Sequence, residues 1–351
     1  MVRPARRAEL IAAAAQSACL LDAMAPKPGN VARGRDLPGL TYRDLVLSAC
    51  AIGPAFQRHA RGRAGRLILE AIRTTRRHVA TNTNLGIVLL LAPLARAAAS
   101  MRGTFRQRLT RVLRDLDLRD ARDVYRAIRM AEPGGLGRVA SQDVRTDPTV
   151  PLLDCMRLAA GRDAVAREYA TGFETTISIG LPALRRQRDR HAPLPAAIAQ
   201  TYLVLLAAAP DTLISRRHGA AAARAVRRDA RQVLRAGGFL TGRGRAMAER
   251  LDRDLRACHP PRNPGATADL TVASVFLWLL DDQGLLGRIG APVRAPRERR
   301  SGSSPAPRST RRRGSPDARH RGGAARPARR PRRRTRPAPR RTARRRGRRR
   351  P

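Results

Sequence analysis

The chain has 351 residues, with 72 Lys and Arg against 27 Asp and Glu, for a formal net charge of +45. Cys19, Cys50, Cys155 and Cys258 are scattered with no CxxC pair, which argues against a disulfide framework or zinc site and fits a reducing cytoplasm. The longest apolar stretch, Leu85 to Ala95, is too short to cross a bilayer, so no membrane partner is expected.

In chain order, residues 1–24 place arginines before an Ala-rich stretch. Glu9, Gln16 and Asp22 interrupt it, which favours an amphipathic helix over a signal peptide. Apolar residues at three-to-four spacing predict helices over 5–25, 41–60, 63–80, 84–100, 104–115 and 119–131. They continue over 151–160, 163–188, 195–209, 219–236, 243–257 and 266–281, with no convincing alternating strand. Thr41 and Asp44 have the spacing of a capping box, and Gly53-Pro54 should kink the helix that follows. The expected fold is all-α, with one multi-helix globular domain over residues 1–290.

Residues 291–351 differ in kind. They hold 25 arginines and two acids, Glu298 and Asp317, with no large apolar residue after Val293. Such a segment cannot bury enough apolar surface to offset chain entropy, so a disordered Arg/Pro-rich tail is expected. It could contact nucleic acid or another polyanion non-specifically, or it could be an appendage from read-through or a shifted frame. The absence of interleaved aromatics for base stacking favours the second.

The rare residues point to a site. The chain has 71 arginines and a single lysine, Lys27, and only four asparagines, Asn30, Asn82, Asn84 and Asn263. GC-rich coding explains the shortage, and the survivors mark positions where substitutes fail. All five lie in three interhelical turns: Lys27-Pro28-Gly29-Asn30, Asn82-Thr83-Asn84-Leu85-Gly86 and Asn263-Pro264-Gly265-Ala266-Thr267-Ala268-Asp269. Each turn suits an anion. Lys27 offers a compact ammonium, Gly29 allows close backbone approach, and Asn82 to Gly86 opens a helix whose free N–H groups could receive phosphate. Asp269 could ligate Mg²⁺ or bond a ribose hydroxyl. Plain helix capping explains any one of these turns as well.

Other loops add Asp143, Asp147 and Asp211, the last close to Arg216, while Asp36 and Asp44 flank the Lys27 loop and Glu174 falls within a predicted helix. Glu132-Pro133-Gly134-Gly135-Leu136-Gly137 is Gly-rich but follows no strand, so it is not a Rossmann fingerprint. The histidines show no metal-ligand spacing, and no Ser-His-Asp or Cys-His arrangement can be drawn.

Taken in order, Pro26-Lys27-Pro28-Gly29, Ser48-Ala49 with Pro54-Ala55-Phe56, Asn82-Thr83-Asn84-Leu85-Gly86, Pro210-Asp211-Thr212-Leu213 and Pro264-Gly265-Ala266-Thr267-Ala268-Asp269-Leu270 carry a likeness. Over residues 10–285 the chain resembles the ATP:dephospho-CoA triphosphoribosyltransferase (triphosphoribosyl-dephospho-CoA synthase) family. It looks like a divergent branch, because Asn84-Leu85 stands where the well-characterised members read His followed by Lys or Arg, and a Gly-Ala-His segment is replaced around Gly39-Leu40-Thr41.

The resemblance implies attack by a ribose hydroxyl of dephospho-CoA on C1′ of the ATP ribose, with adenine leaving and Mg²⁺ on the triphosphate. In that scheme Lys27 and Arg216 sit on phosphates, and Asp211 and Asp269 sit on Mg²⁺ or ribose. Gly29, Asn30, Asn82, Thr83, Asn84 and Asn263 contact the nucleotide, and Asp36 or Asp143 is the base or charge stabiliser. The rival expectations are a nucleotide-dependent transferase of another cofactor pathway, a polyanion-binding protein acting through the tail, and a helical protein without catalysis.

Overall fold

The computed structural model describes residues 3–291; the expected tail lies, apart from Ala291, outside the described residues. Thirteen α-helices run through them: α1 (Pro4–Met24), α2 (Tyr42–His59), α3 (Ala64–Arg76), α4 (Leu85–Ala99), α5 (Phe105–Arg114), α6 (Leu118–Ala131), α7 (Leu152–Ala159), α8 (Ala164–Thr171), α9 (Leu181–Asp189), α10 (Leu194–Ala208), α11 (Thr212–Arg235), α12 (Gly242–Arg256) and α13 (Gly265–Asp282). Among the described residues there is no strand, only two isolated bridges, Ala32 with Arg35 and Leu37 with Leu40. The all-α expectation holds.

Two helices are apolar on nearly every side, and they form the centre. Leu85, Val88, Leu90, Leu91 and Leu94 of α4 are buried, as are Leu270, Val272, Val275, Phe276 and Leu280 of α13. A helix that is apolar all round must be surrounded, and α1, α3, α5 and α8–α10 pack around these two. A second apolar cluster, with Tyr202, Leu203, Ile214, Val226 and Phe239, joins α10, α11 and α12. No single described helix is long and apolar enough to cross a membrane; α10 and the segment Thr212–Leu240 pass such a test only as a bent pair.

The sequence signals at helix ends are mostly met. Thr41 and Asp44 form the expected capping box, with the Asp44 N–H donating to Thr41 Oγ1 at 3.1 Å and the Thr41 N–H to Asp44 Oδ2 at 3.0 Å. Pro54 lies inside α2, which runs as one helix to His59. Gly53 is there for close approach: a methyl group would overlap the Gln16 side chain, which itself donates to the Cys50 carbonyl at 2.9 Å.

The expected helix over 163–188 is three pieces. Gly172 ends α8 in the left-handed region at φ 69°, and Phe173 follows at φ 63°. The fully buried Glu168 carboxylate accepts the N–H groups of Thr175 and Thr176, which restarts the chain as a π turn over Thr176–Gly180 before α9. Periodicity alone could not show this, because apolar residues recur at helical spacing on both sides of the break.

Candidate active site

The starts of α4, α8, α11 and α13 converge, with the chain after α6, on a cavity of about 420 Å³. Its lining is part aliphatic, with Leu89, Ile128, Val139, Met156 and Val165, and part polar, with Asn82, Asp163, Arg216, Asn263 and Asp269. This combination of an apolar slot with a few convergent polar groups is typical of a small-molecule site.

The three turns that hold every Lys and Asn meet here, although they contribute differently. Gly29, at φ 75°, lies so close to the third turn that a Cβ would stand 2.9 Å from the Arg262 carbonyl oxygen and from Pro264 Cδ. Gly86 in α4 lies against Asp269 in α13, and a methyl group there would overlap the Asp269 carboxylate. Asp211 bridges to Thr267, accepting from its N–H and its hydroxyl, both at 2.8 Å.

Of the expected site residues, Asn82, Asp143, Arg216, Asn263 and Asp269 line the cavity. Lys27 does not. It is 3% exposed, and its ammonium is bound to the Asp22 carboxylate and, at 2.8 Å, to the Asp22 carbonyl at the end of α1. Gly29 donates to Asp252 Oδ1 at 2.8 Å, Asn30 donates to the Tyr202 hydroxyl at 3.0 Å, and that hydroxyl donates to the Pro28 carbonyl at 2.8 Å. The whole turn is therefore pinned to α10 and α12 behind the cavity wall.

Asp211 is equally committed. Its Oδ1 accepts the N–H groups of Leu213 and Ile214 at 2.9 Å, capping α11, while Oδ2 serves Thr267. Thr83 shares a hydroxyl contact with Ser48, and Asn84 donates to Thr75 Oγ1 at 3.0 Å. Asn82 Oδ1 accepts the Leu85 N–H at 3.2 Å just before α4, and Asn82 also lines the cavity. Asp36 lies off the cavity, exposed, with Oδ1 accepting the Tyr42 N–H at 2.7 Å. Glu174 is also elsewhere, paired with Arg106 at 2.8 Å.

Asp143 organises the loop between α6 and α7. It accepts the N–H groups of Arg145 and Val139 at 3.0 Å and pairs with the Arg145 guanidinium at 3.1 Å. Those backbone donors, with Arg145, hold its carboxyl below the ordinary range, so it is ionised.

Asp269 is the opposite case. It accepts no hydrogen bond from any described residue and faces the cavity. Its depth in the cleft raises its pKa well above the ordinary value, the negative charges of Asp211, Asp163 and Asp22 raise it further, and Arg216 works against them. Burial and the neighbouring acids thus favour its protonated form, and a cation bound beside it would favour the carboxylate. Asn263 adds a second unanswered group, since its buried Oδ1 has no partner. Asn263 lines the same cavity as Asp269, so the two are candidates to act on one ligand.

Three lining residues escape a reading based on rarity. Asp163 accepts the Ala166 N–H at 3.0 Å, capping α8, and pairs with Arg216 at 2.6 Å. Arg162 and Arg217 line the cavity as well. In a chain with 71 arginines no compositional signal could single these out; Asp163 shows a faint one, as an acid three residues before the Ala166 N–H it caps.

A family model described as ATP:dephospho-CoA triphosphoribosyl transferase matches residues 8–286. A Klebsiella pneumoniae protein named 2-(5''-triphosphoribosyl)-3'-dephosphocoenzyme-A synthase is 36% identical over 113 residues, which is 32% of this chain and 40% of that protein. A Pseudomonas fluorescens relative assigned the same name is 29% identical over 286 residues, 75% of this chain and 88% of its own length. A solved structure from Archaeoglobus fulgidus, assigned as a triphosphoribosyl-dephospho-CoA synthase, superposes with a TM-score of 0.52 at 27% identity, covering 66% of this chain and 96% of that one.

Proposed function

This chain belongs to the ATP:dephospho-CoA triphosphoribosyl transferase family, and from that premise we propose that it uses the cavity at the starts of α4, α8, α11 and α13 to move the triphosphoribosyl group of ATP onto dephospho-CoA, releasing adenine. The observation that carries the reading is the free Asp269 carboxylate, with the orphaned Asn263 Oδ1, in a cavity that also holds Arg216.

Displacement at C1′ builds positive charge on the ribose, and the site must favour that charge more in the transition state than in the ground state. Asp269 and Asp163 face the cavity, while Asp22 and Asp211 lie behind its wall and raise the Asp269 pKa. Positive charge on the ribose favours the Asp269 carboxylate, which stabilises an oxocarbenium-like ribose, and the aliphatic lining takes the purine. Arg216, held in place by Asp163, faces the phosphates. Asn82 and Asn263 orient the nucleotide through side-chain hydrogen bonds. Lys27, Gly29, Asn30 and Asp211 act indirectly, by fixing the turns from which the lining residues project.

Among the described residues no three of His, Cys, Asp and Glu gather to hold a metal by themselves. Mg²⁺ commonly binds through one or two protein oxygens together with substrate phosphates, and Asp269 and Asn263 Oδ1 fit that role. A bound Mg²⁺ would neutralise triphosphate charge. Asp211, with both oxygens occupied by protein donors, has no free lone pair to offer it.

The test is adenine release from ATP, followed by liquid chromatography with mass detection, with and without dephospho-CoA. Adenine and a triphosphoribosyl adduct should appear only when both substrates are present. Adenine that appears without the adduct, or an adduct formed only with some other acceptor, would overturn the reading.

A further inference from the structure

The Gly-rich loop after α6 has no role in the account above, and two arginines at the cavity mouth have no partner in it. Arg162, at the corner between α7 and α8, and Arg217, in α11, line the cavity, are exposed, and make no side-chain hydrogen bond or ion pair with any described residue. This contrasts with Arg216, whose guanidinium is paired with Asp163, and with Arg129 and Arg145, which hold down the 132–149 loop.

The position of Arg217 is nevertheless defined. Its guanidinium lies on the backbone of Gly134, where an added methyl group would overlap Nη2 and come within 3.1 Å of Cζ. Gly135, at φ 79°, continues the surface, with its Cβ direction 3.4 Å from Arg217 Cγ and 3.5 Å from Arg216 Cβ. A side chain at 134 would displace the guanidinium, whereas at 135 it is the positive φ, not lack of space, that favours glycine. The loop is therefore not a phosphate cradle of backbone amides; it is a flat support that aims an arginine into the cavity. Beside it the Arg216 Nε is buried and has no partner.

We propose that Arg162 and Arg217 form a polyphosphate clamp at the mouth of the cavity, with Gly134 as the positioning residue that sets Arg217. The proposal rests on the nucleotide reading above and adds the residues that take the phosphate end. Planar guanidinium forks bind phosphate oxygens in pairs, and two of them on separate elements, joined by the half-neutralised Arg216, suit a chain of phosphates better than a single anion. Two sources share this chemistry, the triphosphate of ATP and the diphosphate of the acceptor.

The experiment maps arginine modification by phenylglyoxal on the full chain, using peptide mass spectrometry, with inorganic tripolyphosphate as the probe. Arg250, exposed on α12 and away from the cavity, serves as the internal reference. Tripolyphosphate should slow modification of Arg162 and Arg217 about tenfold relative to Arg250, as expected for charge-assisted contacts. Gly134→Ala should remove the protection at Arg217. The clash falls on the flexible end of a side chain, so the melting temperature should stay at the wild-type value.

Equal protection of Arg217 and Arg250, or full protection in a folded Gly134→Ala variant, overturns the clamp. Repeating the mapping with ATP and with dephospho-CoA assigns it: protection by ATP alone places the triphosphate there, and protection by dephospho-CoA alone places the diphosphate. The adenine-release assay is read separately. Adenine release without Arg217 protection removes the clamp and leaves the transferase; protection without adenine release does the reverse.

Discussion

The turn at Lys27 and the wall at Asp269 are neighbours, yet they answer opposite structural demands. In the Lys27 turn every donor is matched: the ammonium to Asp22, the Gly29 amide to Asp252, the Asn30 amide to Tyr202. At the Asp269 wall the groups are left open, with a carboxylate that accepts nothing and an Asn263 oxygen that is buried and orphaned. Both regions hold residue types rare in this chain, so both look conspicuous in its sequence. What separates them is what their groups face: those of the Lys27 turn bond to Asp22, to α10 and to α12, while Asp269 opens on the cavity.

The widest gap between the two regions should open when each is broken in turn. Lys27→Ala leaves the Asp22 carboxylate buried without its cation, and removing one partner of a buried pair costs about 3–5 kcal/mol. Urea denaturation should show that loss, and nucleotide affinity of the fraction that remains folded should change little. The pH dependence sharpens the point. Burial raises the Asp22 pKa, and Lys27 pulls it back down. Without Lys27 the folded state binds a proton more tightly than the unfolded chain, so the deficit should grow as pH rises through the folded pKa. It should shrink on acidification toward the pKa of the unfolded carboxyl. A deficit that is flat across that range, or a folded variant that no longer binds ATP, would move Lys27 from the support layer into the site.

Asp269→Asn should do the reverse. Removing a carboxylate that three other acids repel costs no fold stability, so the melting temperature should hold or rise. Adenine release should fall about 100-fold or more, the usual scale for losing one preorganised electrostatic group. A variant with near-normal turnover would leave the cavity floor without its proposed part in the chemistry.

Much of this was legible in the sequence, and the limits have physical causes. The Thr41–Asp44 box is explicit capping chemistry, so the start of α2 sits where spacing puts it, and the apolar periodicity of α13 places its end at Asp282 to within one residue. The convergence of the three turns was also foreshadowed, because the only lysine and all four asparagines fall in them. The direction in which each side chain points was not. Lys27 and Asp211 face inward because Asp22 and Thr267 stand there, five and 56 residues away in sequence, and only the packed helices show it. Arginine, so abundant here, carries no such flag, and Arg162 and Arg217 become distinct only by their place on the cavity wall. The Gly-rich loop is conspicuous in sequence, but its geometry gives it a different use from the one its motif suggests.

Asp163→Ala tests the link between the two kinds of region, because Asp163 both caps a helix and aims a lining residue. Without it, Arg216 loses its 2.6 Å anchor and gains freedom inside the cavity. The KM for ATP should rise about tenfold while kcat changes less, since a mispositioned cation weakens binding more than the chemical step. Asp163→Asn keeps the cap to Ala166 and discriminates the two roles: rescue of stability without rescue of KM assigns the kinetic effect to Arg216.

The smallest effect belongs to a purely structural residue at a distance from the cavity. Thr41 accepts the Asp44 N–H, and Asp44 returns a bond to the Thr41 N–H, so Thr41→Ala leaves one donor at the start of α2 to water. The expected cost is about 1 kcal/mol. Because α2 also carries Ser48, which contacts Thr83 of the cavity-forming turn, a fraying first turn has a short path to the site. The steady-state parameters decide whether it is transmitted. A lower melting temperature with unchanged KM confines the damage to the helix end, whereas a shift in KM at permissive temperature shows that the Asn82–Gly86 turn depends on α2 for its position.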